Sequence, residues 1–446
     1  IRRPPRSTLS PSSAASDVYK RQVLITLDSL RADHCSFMGY HRETTPTLDK
    51  MARRGLYFEN AIVSGVATPV SLAGMFTGDY LIYFSNDFER IRKDILKKFK
   101  KQKTLAQALS QLGYSTGAFT PNIYASRYFG FNKGFKYFQD FLSESGDIGL
   151  FIKLEKKIDK IIKRTKVLSN ILGIKYLLQK ERACKPWESY YDQILEWVSK
   201  TDKPYFLWIL LLSTHHPYLV PRKYRKWTNI FDMYYYNWKV RASNWQPSFT
   251  EKDRAKIVGL YDSSILYADA FIKRLWNDLK DDDPIFMIHA DHGEGFGEHG
   301  FYGHNFPALY EELIHVPLVI YNADVKGKIE EPVSLLGVPS TILELIGEKS
   351  DFPTESFLNG GKDWVISKIF IDGKRVVAVR MKNWKFITGE NYKDELYNLK
   401  KDPYEQENVI DSHPDLVKIM KEIVETHIKG ELSKKLRIKL SKGRYS

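Results

Sequence analysis

Cysteine is nearly absent: Cys35 and Cys184 are the only two in 446 residues. A disulfide-stapled scaffold and a zinc finger are therefore excluded. Neither cysteine stands at a metal-ligand spacing, so cysteine usage assigns no compartment, cytoplasmic or exported. Long apolar runs are also absent. The longest, Tyr205 to Leu212, has eight residues, against the roughly 20 of a membrane-spanning helix, and no transmembrane segment is expected. Internal repeats, low-complexity tracts and nucleic-acid motifs are missing too. What is present is core material, with 43% hydrophobic and 27% charged residues. That composition suits two or three domains, or one large α/β domain with an appendage.

The formal charge is +14. Residues 1–22 lack apolar periodicity and stop abruptly at an apolar strand; they read as non-native adapter sequence, with the native start expected to be missing. They hold Arg2, Arg3, Arg6, Lys20 and Arg21 against Asp17, which is +4 and leaves +10 for the remainder. Two clusters carry much of that excess. Arg90 to Lys103 holds eight basic residues against Asp94, and Lys429 to Arg444 holds seven against Glu431. Such clusters attract anionic partners, whether nucleic acid, anionic lipid or phosphorylated and sulfated glycans, and more often are simply a solvated helix face and a loose tail. Peripheral contact through a basic tail, 426–446, fits this charge. No specific nucleic-acid partner is expected.

Hydrophobic patterning predicts buried strands at Val23–Leu27, Tyr114–Phe119, Tyr205–Leu212, Ile285–Ala290 and Pro317–Tyr321. Helical spacing marks Thr104–Leu112 and the run Ile265, Ala268, Ile272, Leu275, Leu279. Alternating strands and helices imply an α/β fold with a mostly parallel central sheet flanked by helices. A lysine-rich helical insertion is expected near 148–190. Beyond about 360 short alternating strands, such as Val376–Arg380 and Trp384–Ile387, suggest a small antiparallel α+β subdomain over 361–425. The main α/β domain is then 23–360. In such sheets ligands gather at the carboxyl ends of strands, which directs attention to Asp28, to His215-His216 and to Asp291-His292. A carboxylate with an imidazole suits a divalent cation, although Asp-His also occurs as a solvated turn.

The motifs around these positions resemble those of the sulfatase family within the alkaline phosphatase superfamily. Asp28-Ser29-Leu30-Arg31-Ala32-Asp33-His34 and Thr44 to Asp49 are similar to its amino-terminal signature. Thr68 to Gly78 (TPVSLAGMFTG) falls at its nucleophile loop, Thr214-His215-His216-Pro217-Tyr218 at its His-x-Pro-Tyr turn, and ADHGEGFGEHGFYGH at its second metal-binding block. Leu105 to Phe135, and Glu395 to Gln406 in the carboxy-terminal subdomain, extend the likeness over about 23–425.

The resemblance implies that Asp28, Asp291 and His292 bind one divalent cation (Ca²⁺, Mn²⁺, Mg²⁺ or Zn²⁺), with the nucleophile completing the site. The family's second Asp is Ser29 here. Its formylglycine-forming Cys or Ser is Thr68, and its Pro and Arg positions are Val70 and Leu72, while Ser71 is kept. No formylglycine is expected. A threonine ester has no second hydroxyl through which to collapse, so water or an acceptor alcohol must attack sulfur or phosphorus. This resembles the threonine-dependent lipoteichoic-acid synthases and phosphoethanolamine transferases, and tilts the chemistry toward phosphate esters. By family position His215 and His304 hold non-bridging oxygens or protonate the leaving group, with Asn122 and His299 as further substrate contacts.

Each residue has a plainer reading. Thr68 before Pro69 also suits a helix N-cap, Ser71 is the alternative nucleophile, and His34 and His41 read as structural. Arg31 and Asp33 are expected to tie down the first loop. The aromatics Trp227, Tyr234 to Tyr236, Trp238 and Trp245 suit a sugar platform or simple packing. The expected function is metal-dependent hydrolysis of sulfate or phosphate esters, on an anionic glycan or glycolipid, through a covalent Thr68 intermediate. The alternatives are phosphoalcohol transfer to a surface polymer, or a catalytically silent glycan binder.

Overall fold

The structure is a computed structural model and describes residues 20–81, 87–142, 185–243, 245–304, 308–371 and 374–440. Its centre is an eight-stranded sheet of β1 (Gln22–Leu27), β2 (Leu56–Phe58), β3 (Ser115–Phe119), β4 (Tyr137–Gln139), β5 (Tyr205–Leu211), β6 (Ile285–Ala290), β7 (Leu318–Tyr321) and β8 (Gly327–Ile329). The spatial order is β8-β2-β7-β6-β1-β5-β3-β4. β1 pairs parallel with both β5 and β6. All six residues of β1 and of β6, and all seven of β5, are buried. Helices on both faces explain why these strands read as unbroken apolar runs rather than alternating ones. β7 runs antiparallel to β2 and β6, so the sheet is mixed, with one inverted strand in an otherwise parallel array.

The flanking helices are α1 (Pro46–Arg54), α2 (Thr68–Thr77), α3 (Phe88–Lys101), α4 (Leu105–Gln111), α5 (Tyr191–Lys200), α6 (Ile230–Ala242), α7 (Glu251–Asp278) and α8 (Val338–Leu345). Every residue of α2 is buried, and it ends on Gly78 in the left-handed region at φ 62°. α7 begins well before the Ile265 run, at a reciprocal cap between Thr250 and Asp253. Its buried acids brace the first loop. Asp262 accepts from Tyr40 and Arg42 and pairs with His34, while Asp269 accepts the Thr47 and Leu48 amides at the start of α1.

Four antiparallel strands, β9 (Trp364–Ile371), β10 (Lys374–Met381), β11 (Trp384–Gly389) and β12 (Glu395–Asn398), form the second sheet. Helix α9 (Pro414–Leu440) covers it through Met420 and Val424 and runs across residue 425. Buried Lys385 and Arg380 pair with Glu311, joining this sheet to the segment that leads into β7. The helical insertion expected near 148–190 lies, through residue 184, outside the described residues, as do residues 1–19. β1 begins at Gln22 itself. No helix among the described residues is long and apolar enough to cross a membrane.

Candidate active site

Adjacency of β1 and β6 decides the geometry. Leu27 is level with Ala290, so the next residues, Asp28 and Asp291, leave the carboxyl edge side by side, both fully buried. Ser29 turns the chain there at φ 64°, a conformation a non-glycine residue adopts only when held. Its amide donates to Asp291 Oδ1 (3.1 Å), its hydroxyl to Asp28 Oδ1 (3.0 Å), and its carbonyl accepts from Tyr261 (2.7 Å). Asn122 Nδ2 donates to Asp28 Oδ2 at 2.5 Å, and Thr214 donates to the Asp28 carbonyl at 2.6 Å.

His292 is oriented by its other nitrogen. Nδ1 lies 2.9 Å from the Gly293 carbonyl, which assigns it as the donor and leaves the Nε2 lone pair free to act as a ligand. Nε2 lies 3.3 Å from Thr68 Oγ1, 3.8 Å from Asp28 Oδ1 and 3.6 Å from Asp291 Oδ2. One oxygen or nitrogen from each of Asp28, Asp291 and His292 falls within 4.8 Å of the others. Asp291 Oδ2 is buried without a hydrogen-bond partner. Burial first, then the Asp291 charge, pushes the Asp28 carboxyl well above its ordinary range, and burial lowers His292. Two crowded carboxylates with a lone-pair imidazole and an orphaned oxygen form a donor set that a divalent cation fits.

Thr68 does not cap its helix. The N-cap is Ala67, whose carbonyl receives the Val70 and Ser71 amides, and Thr68 is already helical. The hydroxyl is thereby left to the His292 cluster. Ser71 lies buried one turn further along α2.

His304 and His215 complete this face. The His304 ring is 4.3 Å from that of His292 and 5.1 Å from that of His215. Its Nδ1 lies 3.0 Å from Glu294 Oε1, and Tyr218 donates to Glu294 Oε2 at 3.0 Å. Burial alone would lower the His304 pKa; Glu294, Asp28 and Asp291 outweigh it and raise it. Sequence reasoning gave Glu294 no role, and its signal was an acid two residues past His292. His299 stands apart. Its ring stacks on Tyr310 at 3.5 Å, with nitrogens against Glu312 (2.6 Å) and the Glu405 carbonyl (3.1 Å), facing the second sheet. Arg31 is buried between Asp33 and Glu298 at 2.7 Å each. Of the aromatic stretch, Trp245 reaches the site region, 4.8 Å from the His216 ring, whereas Tyr234 and Tyr235 are exposed and Tyr236 is buried against Asp253.

The sequence profile described as Sulfatase matches residues 20–348. An arylsulfatase of Clostridium perfringens is 25% identical over 371 residues, covering 72% of this chain and 74% of the relative. Arylsulfatase K of Danio rerio is 27% identical over 236 residues, covering 45% and 43%. Among solved structures, the phosphonate monoester hydrolase of Agrobacterium radiobacter superposes with a TM-score of 0.66 at 17% identity, covering 92% of this chain and 96% of that one. A protein solved with its substrate D-glucosamine-2-N,6-O-disulfate superposes with a TM-score of 0.62 at 16% identity, covering 93% and 97%.

Proposed function

The chain belongs to the sulfatase family and is an ester hydrolase, and we propose that it cleaves sulfate or phosphate esters of an anionic glycan or glycolipid through a covalent intermediate on Thr68. The observation that carries this reading is the Thr68 hydroxyl, uncommitted to capping and 3.3 Å from His292 Nε2 beside two buried carboxylates. Asp28, Asp291 and His292 are the residues that would hold a divalent cation. When bound, such an ion supplies Lewis acidity, lowering the hydroxyl pKa and polarising the ester oxygen.

The chain's own residues do the rest. Thr68 Oγ, its proton released to solvent once the hydroxyl pKa is lowered, bonds to sulfur or phosphorus as the bond to the leaving alcohol breaks. His304, held at Nδ1 by Glu294, or its neighbour His215 gives the departing oxygen its proton. Water then attacks the same atom, giving a proton back to that histidine, as the bond to Thr68 Oγ breaks and Thr68 regains its proton from solvent. Asn122 holds Asp28 in place and presents its amide at the same edge. A glycan ester is supported by the sulfated glucosamine held by one structural neighbour, and a phosphorus ester by the phosphonate hydrolase that shares the fold and by threonine in place of a formylglycine precursor.

Initial rates on aryl sulfate, aryl phosphate and bis-aryl phosphate, after metal removal and resupply, test this reading. Turnover should require the cation and fall by on the order of 10³ or more in Thr68→Ala. Sulfate turnover that survives Thr68→Ala would remove Thr68 as nucleophile.

A further inference from the structure

Helix α3 carries charge that neither the fold nor the site described above uses. Ile91, Ile95 and Phe99 are buried on one side of it. At about 100° per residue, Arg90, Lys93, Lys97 and Lys100 fall within about 80° of arc on the opposite side, and all four are exposed. Three other basic side chains in and beside the helix are committed to protein partners. Arg92 lies over the Tyr128 ring at 4.0 Å and donates to the Tyr128 carbonyl, Lys98 donates to the Tyr80 carbonyl, and Lys103 pairs with Asp351 at 2.7 Å. Among the described residues no carboxylate forms an ion pair with any of the four. Like charges spaced three and four apart repel on a helix. This one is nevertheless well fixed, by the Asp87 cap and its three buried side chains.

The ridge also connects to the catalytic edge. Phe88, at the start of α3, stacks on Tyr124 at 4.5 Å. The Tyr124 amide donates to Asn122 Oδ1, and Asn122 donates to Asp28. From Arg90 to Lys100 the helix then rises about 15 Å, a row of cations leading along α3 from this contact.

We infer that the exposed face of α3 binds the anionic groups of a sulfated or phosphorylated glycan chain whose reacting ester occupies the Thr68 site. The inference rests on the glycan-ester reading of that site. Charge complementarity identifies the partner as a polyanion. Leu96 rests against Gly130 and, among the described residues of α3, is the one exposed large apolar side chain. A single such side chain is too small an area to anchor insertion into lipid. The ridge also carries no aromatic ring on which a nucleic-acid base could stack.

The test uses the full chain and a charge-removal variant, Arg90→Gln/Lys93→Gln/Lys97→Gln/Lys100→Gln. A control removes four exposed lysines elsewhere, Lys252, Lys393, Lys400 and Lys401, each to Gln. Binding to size-defined heparin fragments is measured against salt, and hydrolysis of a small aryl ester is measured alongside. The ridge variant should bind heparin on the order of tenfold more weakly at physiological salt, with a shallower salt slope. The control should bind as the parent does, and the aryl ester should turn over equally in all three. Heparin binding equal in parent and ridge variant overturns the inference. So does a loss confined to phosphatidylserine vesicles or to single-stranded DNA, with heparin binding kept. Because binding is read apart from turnover, weakened heparin binding in a chain that hydrolyses no ester would leave the ridge standing and the catalytic reading fallen.

Discussion

Two acids four residues apart, Glu294 and Glu298, do different work at the strand end after β6. Glu294 holds His304 Nδ1 and accepts from Tyr218, so Glu294→Gln should slow turnover by about 10- to 100-fold, the usual cost of losing an orienting partner. Steady-state kinetics with a melting curve unchanged within a few degrees would bear this out; an undiminished kcat would not. Glu298 is paired with Arg31 at 2.7 Å and Arg254 at 3.2 Å. Burial alone would raise its pKa, but Arg31 outweighs burial and holds it at about 2, against 4.5 ordinarily. A depressed carboxyl gives stability that is complete above about pH 4.5 and vanishes as pH falls toward 2, here about 3 kcal/mol. Melting temperature between pH 6 and 2 should therefore fall less steeply in Glu298→Gln than in the parent. Parallel curves would contradict the assignment.

Elements position these residues with little slack. Gly293 sits between a metal-ligand candidate and the acid that holds His304, and its amide donates to the Leu313 carbonyl at 2.9 Å. A Cβ there would lie 2.0 Å from the Glu312 carbonyl oxygen. Gly293→Ala should destabilise the protein by about 1–3 kcal/mol, displace His292 and depress activity together with melting temperature; a fully active, equally stable variant would mean that this strand end tolerates movement.

The elements most legible in sequence were those with an unambiguous apolar period. β1, β5 and β6 read as buried runs because both faces are covered, and α4 showed helical spacing within Thr104–Leu112. The inversion of β7 was not legible, since four apolar residues look the same in either direction. β2 is three residues long, too short to show a period. In the site, Asp28 and Asp291 could be found because each follows a strand directly, and His292 because it adjoins Asp291. The Asn122–Asp28 bond spans 94 residues, and the Glu294–His304 pair depends on how a loop closes, so neither had a local signature. Thr68 before Pro69 suited a cap, and only the backbone geometry transferred that role to Ala67.

At the scale of the whole molecule, the site joins most of the chain. β1 supplies Asp28, the loop after β3 Asn122, the turn after β5 His215, the end of β6 Asp291 and His292, and α2 Thr68. A divalent ion held by Asp28, Asp291 and His292 would therefore stabilise the fold, because it would also offset the repulsion between two buried carboxylates. Melting temperature should rise with added divalent cation in the parent, and respond far less in Asp291→Asn. An equal response in both would place the stabilising ion elsewhere.

The most direct test of the central claim is peptide mass spectrometry on the parent, acid-quenched during turnover of an aryl sulfate or aryl phosphate with cation present. A sulfuryl or phosphoryl group should appear on Thr68 and be absent without the cation. The same group on Ser71, or full turnover with Thr68 never modified, would contradict the claim.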